Sequence, residues 1–321
     1  MRRLLAPVVA LSLLALAACG SGGKTSGSTE PGGTTKLKVG VIPIVDVAPI
    51  YLGKEKGFFA QHKIDLELVQ QSGGAAAIPG VIAGDFQLAF GNVTSVLLAG
   101  SQNLPLRIVA NGVSSTGDPK TDFAGVVVPA DSPLQSPKDL AGKTVAINNL
   151  KNINDVTTRA IVEKAGGDPA SVKFVELGFP DMPAAVANHK VDAAAMVEPF
   201  LSASISQGAR VIGAQYADAT ANLTVASYFA TQQYVSQNKA VIDNFRAALQ
   251  QSMQYAQEHP DEVRRIVTTY TTIKADVAQK IKLPAWPQET NVDSLKTVAE
   301  LMRKYGHTQS TVDVNKLIAT G

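Results

Sequence analysis

The feature that most constrains this fold is an alternation of short strand-like runs with helical runs, repeated in two series and followed by a helical tail without strands of its own. Residues 36–41 and 63–68 alternate polar and apolar side chains, the period-2 pattern of a strand packed on one face. Between them, residues 48–59 carry apolar groups at Ile50, Tyr51, Leu52, Phe58 and Phe59, and Pro49 suits a first helical turn. The unit recurs as a helix over 75–83 ended at Gly84, a strand over 86–90, a helix over 93–99 ended at Gly100 and a strand over 106–110. Such alternation predicts an α/β fold with a largely parallel sheet and helices on both faces.

A loop rich in Gly, Ser, Asp and Pro at 112–122 separates the second series, with strands expected at 123–128, 144–147, 173–177, 191–196 and 210–212. One more strand is expected at 226–231. Beyond it the pattern is helical: Val241, Phe245, Ala248, Leu249 and Ser252 form one stripe, and further helices are expected at 260–270, 276–280 and 293–305. A helical tail lacking strands must pack on an earlier lobe. The chain is therefore expected to leave a first lobe near 111–122, build a second, and return near 213–223. The boundaries read as lobe 1 over 36–120 and 216–321, and lobe 2 over 121–215. Two crossings between two α/β lobes make a hinge, and the loops at the carboxyl ends of the strands then face each other across a cleft, the expected site.

The first 35 residues stand apart. Arg2 and Arg3 precede an apolar run from Leu4 to Leu16 that is too short to span a membrane, which reads as a signal peptide over 1–18. Cys19 is the single cysteine, so it has no internal disulfide partner. Leu16-Ala17-Ala18-Cys19 resembles the bacterial lipobox, which implies lipidation of Cys19 and anchorage to the outer face of the cell membrane. Residues 19–35 are mostly Gly, Ser and Thr and read as a flexible linker with a reach of about 20 to 25 Å. Removal of residues 1–18 takes away two arginines and no acid, lowering Lys+Arg from 29 to 27 against 27 Asp+Glu. A neutral chain of this kind lacks the cationic surplus that nucleic-acid binding needs.

Candidate site residues follow from strand-to-helix turns, where unpaired N–H groups and a partial positive charge collect. In lobe 1 these are Ser72, before the helix at 75, and Asn92 and Thr94, after the strand ending at Phe90. In lobe 2 the run from Asn148 to Asp155 offers Asn149, Asn152 and Asn154, each able to donate and accept. Ser72, Asn92 and Asn154 equally suit helix caps. Asp46, Asp181 and Glu198 place acids at the expected cleft and favour a ligand with a cationic or donor group, although Asp181 and Glu198 also suit helix starts. Arg107 and Arg159 are the nearest candidates for an anion clamp, with salt bridges as their better use. Phe179, Tyr51, Phe200 and Tyr228 can sandwich a ring, core packing being the better assignment for Tyr51 and Phe200, and Trp286 reads as packing. There is no nucleophile elbow, phosphate loop or dinucleotide fingerprint, and His62, His189, His259 and His307 are scattered, so no cofactor, metal or catalytic residue is assigned.

As an ordered set, Glu55-Lys56-Gly57-Phe58-Phe59, the run Gly84 to Gly91, Ser136-Pro137-Lys138-Asp139-Leu140-Ala141-Gly142-Lys143, Val191-Asp192-Ala193, Glu198-Pro199 and His259-Pro260-Asp261-Glu262 resemble the aliphatic sulfonate, taurine and nitrate binding proteins of ABC importers. The resemblance covers nearly all of residues 36–321. It implies a type II periplasmic binding protein fold, two Rossmann-like α/β lobes joined by a two-strand hinge, a small polar solute held between them, and docking of the closed form on a membrane permease. It also implies ligand contact at the Asn92–Thr94 turn. The Asn148–Asp155 run departs from the Gly-Ser or Gly-Thr turn often found there, which argues against a simple sulfonate or nitrate pocket and toward a neutral polar group. The expected function is an extracytoplasmic solute-binding lipoprotein of an ABC importer, monomeric and without a cofactor, which captures a small polar organic solute (a sulfonate, taurine, nitrate or a pyrimidine-like compound) in the interlobe cleft and delivers it to the permease. The alternative is a cofactor-free lyase or biosynthetic enzyme on the same fold.

Overall fold

In the computed structural model, residues 33–310 and 312–319 are described; the signal segment, Cys19 and most of the linker lie outside them. The first series gives β1 (Thr35–Val41), a short 3-10 turn at Val45–Val47, α1 (Ala48–Glu55), α2 (Phe58–Gln61), β2 (Ile64–Gln70), α3 (Gly74–Ala83), β3 (Leu88–Asn92), α4 (Val93–Ser101) and β4 (Leu106–Ser114). The second gives β5 (Ala124–Val128), β6 (Thr144–Ile147), α5 (Ile153–Lys164), β7 (Lys173–Glu176), α6 (Met182–Ala187), β8 (Ala193–Val197), α7 (Phe200–Ser206), β9 (Arg210–Ala214) and α8 (Gln215–Ala219). Then follow β10 (Thr224–Thr231), α9 (Gln232–Gln237), α10 (Lys239–Glu258), α11 (Pro260–Tyr270), α12 (Ala275–Ala278), α13 (Val292–Lys304) and α14 (Val314–Leu317).

The strands form two five-stranded sheets, ordered β2-β1-β3-β10-β4 and β7-β6-β8-β5-β9. The first runs parallel from Thr35 opposite Ile64 to Val41 opposite Gln70. Each sheet carries one strand running against the rest, β10 in the first and β5 in the second. These are the strands by which the chain enters each sheet from the other. Thr224, at the start of β10, pairs with Ser114, at the end of β4, so the incoming strand must run backward from the edge where the outgoing one stops. The expectation of a largely parallel sheet holds with this exception.

Both faces of the central strands are covered, which is why β5 and β8 are apolar throughout instead of alternating. Val127 joins the large core shared with the first sheet, whereas Val126 and Val128 face a second core with Leu140, Ile147 and Ile161. The two crossing segments are tied to each other: the Ser115 N–H donates to the Leu223 carbonyl at 2.9 Å, and the Asp122 carboxylate accepts from the backbone of Tyr216 and Ala217 at 2.8 and 2.7 Å.

The tail packs as expected, with α10 against α1 and α2, and it also threads between the sheets. Ala285 and Ser114 exchange backbone hydrogen bonds of 3.1 and 2.9 Å, the Lys282 N–H donates to Glu198 Oε1 at 3.2 Å, and the Trp286 indole N–H donates to the Asp46 carbonyl at 2.9 Å. Farther on, Lys304 and Tyr305 both donate to Glu163 of α5, at 2.7 and 2.8 Å. Two helix boundaries differ from expectation. The run over 48–59 breaks at Gly57, whose φ of +79° ends one helix and starts another. Gly100 does not stop α4; it lets Leu317 approach, since a Cβ there would lie 2.8 Å from Leu317 Cδ2.

Candidate ligand site between the two sheets

The loops after β1, β3, β6 and β7 meet at a partly open cavity of about 20 Å³ lined from both sheets. The first sheet contributes Ile42, Ile44, Asp46, Phe90 and Asn92; the second contributes Asn148, Ile153, Asn154, Phe179 and Tyr216. That volume matches about one water, so a solute of several heavy atoms fits only with the two halves farther apart. Larger clefts of about 250 and 540 Å³ lie elsewhere. The first is confined to the sheet-1 side around Arg246, whose guanidinium is already bonded to the Val109 and Ala319 carbonyls. In the second, between α5 and α13, Glu163 is already paired with Lys304 and Tyr305. The small cavity is the better candidate because buried polar side chains from both halves converge on it.

Asp46 is 2% exposed, and its Oδ1 has no hydrogen-bond partner among the described residues. Burial raises its pKa from the ordinary carboxylate value to about 7, opposed by its own backbone N–H. Asn92 is the N-cap of α4: its Oδ1 accepts from the Ser95 N–H and Ser95 Oγ, both at 3.0 Å, and from Thr94 Oγ1. Its Nδ2 has no partner among the described residues, so the oxygen caps while the nitrogen stays free. Thr94 is fully buried and outside the lining, its hydroxyl turned onto Asn92.

The asparagine run folds into a network instead of a row of open groups. Asn152 caps α5 through the Asn154 and Asp155 N–H groups at 3.0 and 3.2 Å and donates to Asn148 Oδ1 at 2.6 Å. Asn154 donates to the same oxygen at 3.0 Å and accepts from Gln215 Nε2 at 2.9 Å and Tyr216 Oη at 3.0 Å. Asn148 then donates across the cleft to the Ser72 carbonyl at 3.3 Å. Of the three candidates here, Asn154 lines the cavity, Asn152 sits behind it as a cap, and Asn149 bonds Glu176 at 3.4 Å near the rim. Gly73 makes that rim contact possible: a Cβ on it would lie 1.7 Å from Asn149 Oδ1.

The other candidates stand outside the lining. Ser72 is exposed and joins the cleft only through its carbonyl. Asp181 is exposed at the start of α6. Glu198 is buried but is spent on capping α7, accepting from Ser202 N–H at 3.0 Å and Ser202 Oγ at 2.8 Å, and on the Lys282 N–H; burial raises its pKa to about 7. Arg159 pairs with Asp155 and stacks on Phe174, as its salt-bridge reading anticipates, while Arg107 bonds Gln232 and a carbonyl instead. Phe179 reaches the cavity with Phe200 stacked behind it at 6.2 Å; Tyr51 stacks on Tyr270, and Tyr228 meets Phe90 edge-on. His307 pairs with Asp155 at 3.2 Å, its side chain 6% exposed. Residue-type reasoning missed Asn148, Tyr216 and Gln215. The last two lie in the short helix α8, hidden in what reads as a return loop after Gly213.

Comparison with known proteins adds the family. The model of the NMT1/THI5-like family matches residues 44–263, and the chain belongs to that family. It is 28% identical over 183 residues to the formylaminopyrimidine-binding protein of Halalkalibacterium halodurans, covering 57% of this chain and 52% of that one. It is 30% identical over 152 residues to the bicarbonate-binding protein CmpA of Synechococcus elongatus, covering 41% and 34%. The chain thus spans about half of the first relative and a third of the second. The alkanesulfonate-binding protein SsuA from Xanthomonas axonopodis pv. citri superposes with a TM-score of 0.75 at 17% identity over 92% of this chain and 100% of that one. The fold is that of the periplasmic binding proteins, and these relatives are named for what they bind and not as enzymes.

Proposed function

We propose that this NMT1/THI5-like chain is the extracytoplasmic solute receptor of an ABC importer. It captures a small polar organic solute between its two sheets and presents the closed form to a membrane permease. The observation that carries the reading is the small cavity itself, lined by buried polar side chains from both sheets. A ligand that touches both halves favours the closed arrangement by its differential affinity, and that difference is what a permease can read. The names of the relatives support capture without chemical change. In this reading residues 1–18 are removed, Cys19 carries the lipid that holds the receptor at the outer membrane face, residues 19–35 are its leash, and one copy of the chain suffices.

A thermal-shift screen of sulfonates, taurine, nitrate, bicarbonate, pyrimidines, amines and riboflavin-like compounds tests the reading. A solute bound only by the folded state raises the midpoint, and small-angle scattering with that solute should record compaction. Asn92→Asp keeps an oxygen to cap α4 and removes the amide donor at the lining, so it should weaken the response more than it lowers the midpoint. No shift and no compaction with any compound would remove the receptor assignment.

A further inference from the structure

The polar lining of the cavity is one-sided in charge. Asp46 brings a carboxyl whose Oδ1 is buried and unpartnered among the described residues. Nearby Tyr216, Tyr228 and Tyr270 are all held neutral, their pKa values raised first by burial and then by neighbouring charges that include Asp46. Trp286 spends its indole N–H on the Asp46 backbone carbonyl and not on the carboxyl. No Lys, Arg or His lines the cavity, and Arg107 and Arg159 are bonded elsewhere. Asn148 and Asn154 hold each other and Tyr216, while the Asn92 side-chain nitrogen, on a residue of the lining, has no partner among the described residues.

A buried carboxyl oxygen without a donor is costly, and a ligand N–H removes that cost. An oxyanion does the opposite. It brings only acceptors, adds like charge once the carboxyl ionises, and needs a cluster of donors that one amide does not supply.

Resting on the receptor reading above, we propose that the site takes a small nitrogenous solute whose N–H groups, on an amine, amidine or ring amino group, donate to the Asp46 carboxyl, and that it rejects oxyanions. Asn92 Nδ2 meets an acceptor on the same solute, and Phe90, Phe179 and Tyr216 supply the walls. Asp46 is thereby the residue that sets specificity.

The single tryptophan of the chain is bonded to Asp46, so its fluorescence reports on this point directly. The full chain is titrated with 4-aminopyrimidine, benzamidine and putrescine, and separately with ethanesulfonate, nitrate and bicarbonate, with calorimetry alongside. The expected result is saturable binding of at least one nitrogenous probe, weakened tenfold or more by Asp46→Asn, and none by the oxyanions. Asp46→Ser repeats the test if Asp46→Asn does not fold. An oxyanion that binds equally well to both forms would overturn the proposed class while leaving the receptor reading intact. Silence with all six probes would also overturn it, and the wider screen then decides the receptor reading separately.

Discussion

At the scale of single residues, Asp46 carries the clearest consequence for stability. Its carboxyl keeps a proton to about pH 7 in the folded chain, whereas an unfolded carboxyl releases it near pH 4. Across that window the folded state binds more protons, so stability from this group falls as pH rises and stays low above it. The loss is on the order of 4 kcal/mol for a shift of that size. Denaturant melts from pH 4 to 8 should show Asp46→Asn becoming progressively more stable relative to the parent as pH rises; a constant difference would refute the assignment. Gly73 offers a second test. A Cβ there would strike Asn149 of the other half, so Gly73→Ala should weaken solute binding about tenfold while leaving the thermal midpoint nearly unchanged. Residue identities were legible as chemistry but not as placement. Asn92, Asn154 and Asp46 were visible as polar groups after strands. Asn154 is held by Gln215 and Tyr216, some sixty residues away, and no local pattern reveals that pairing.

Among elements, α5 shows how much one side chain does. Asn152 satisfies two N–H groups at the first turn and also steadies Asn148, so Asn152→Ala removes a cap and a cross-brace together. The cap alone is worth about 1 kcal/mol, and the loss of one of the two donors to Asn148 Oδ1 adds to it. Chemical denaturation should record a loss of about 1 to 2 kcal/mol. A loss under about 0.3 kcal/mol would mean that water replaces the cap without cost. The elements themselves were largely readable: alternation marked β1 and β2, and the apolar stripe marked α10. Their ends were less so. The strand expected at 86–90 runs from Leu88 to Asn92, and β4 extends to Ser114, because partners in β10 decide where pairing stops. The reversed direction of β5 and β10 had no signal in the period of their side chains, since it is a property of where the chain re-enters.

For the molecule as a whole, the contact between α13 and α5 matters most outside the cavity. Glu163 accepts from Lys304 and Tyr305, both carried by the tail, while Asp155 meets His307. The groups around Glu163 are partly exposed, so the contact contributes little to unfolding free energy, on the order of 1 kcal/mol or less. Its effect should fall on shape instead. Glu163→Ala should leave the melting temperature within a few degrees of the parent and increase the radius of gyration measured by small-angle scattering; an unchanged radius would show that the contact does not restrain the two halves.

The place of β10 has a consequence for the order in which the chain can acquire its form. The strands β5 to β9 are contiguous in the chain, so that half has all its strands once residue 214 exists. The other half does not. Its fourth position is filled by residues 224–231, wedged between β3 and β4, so until they are synthesised those two strands flank a gap one strand wide with unpaired edges. The half made first is therefore the half finished last, and a nascent chain halted before residue 224 would expose two sticky borders to any neighbour.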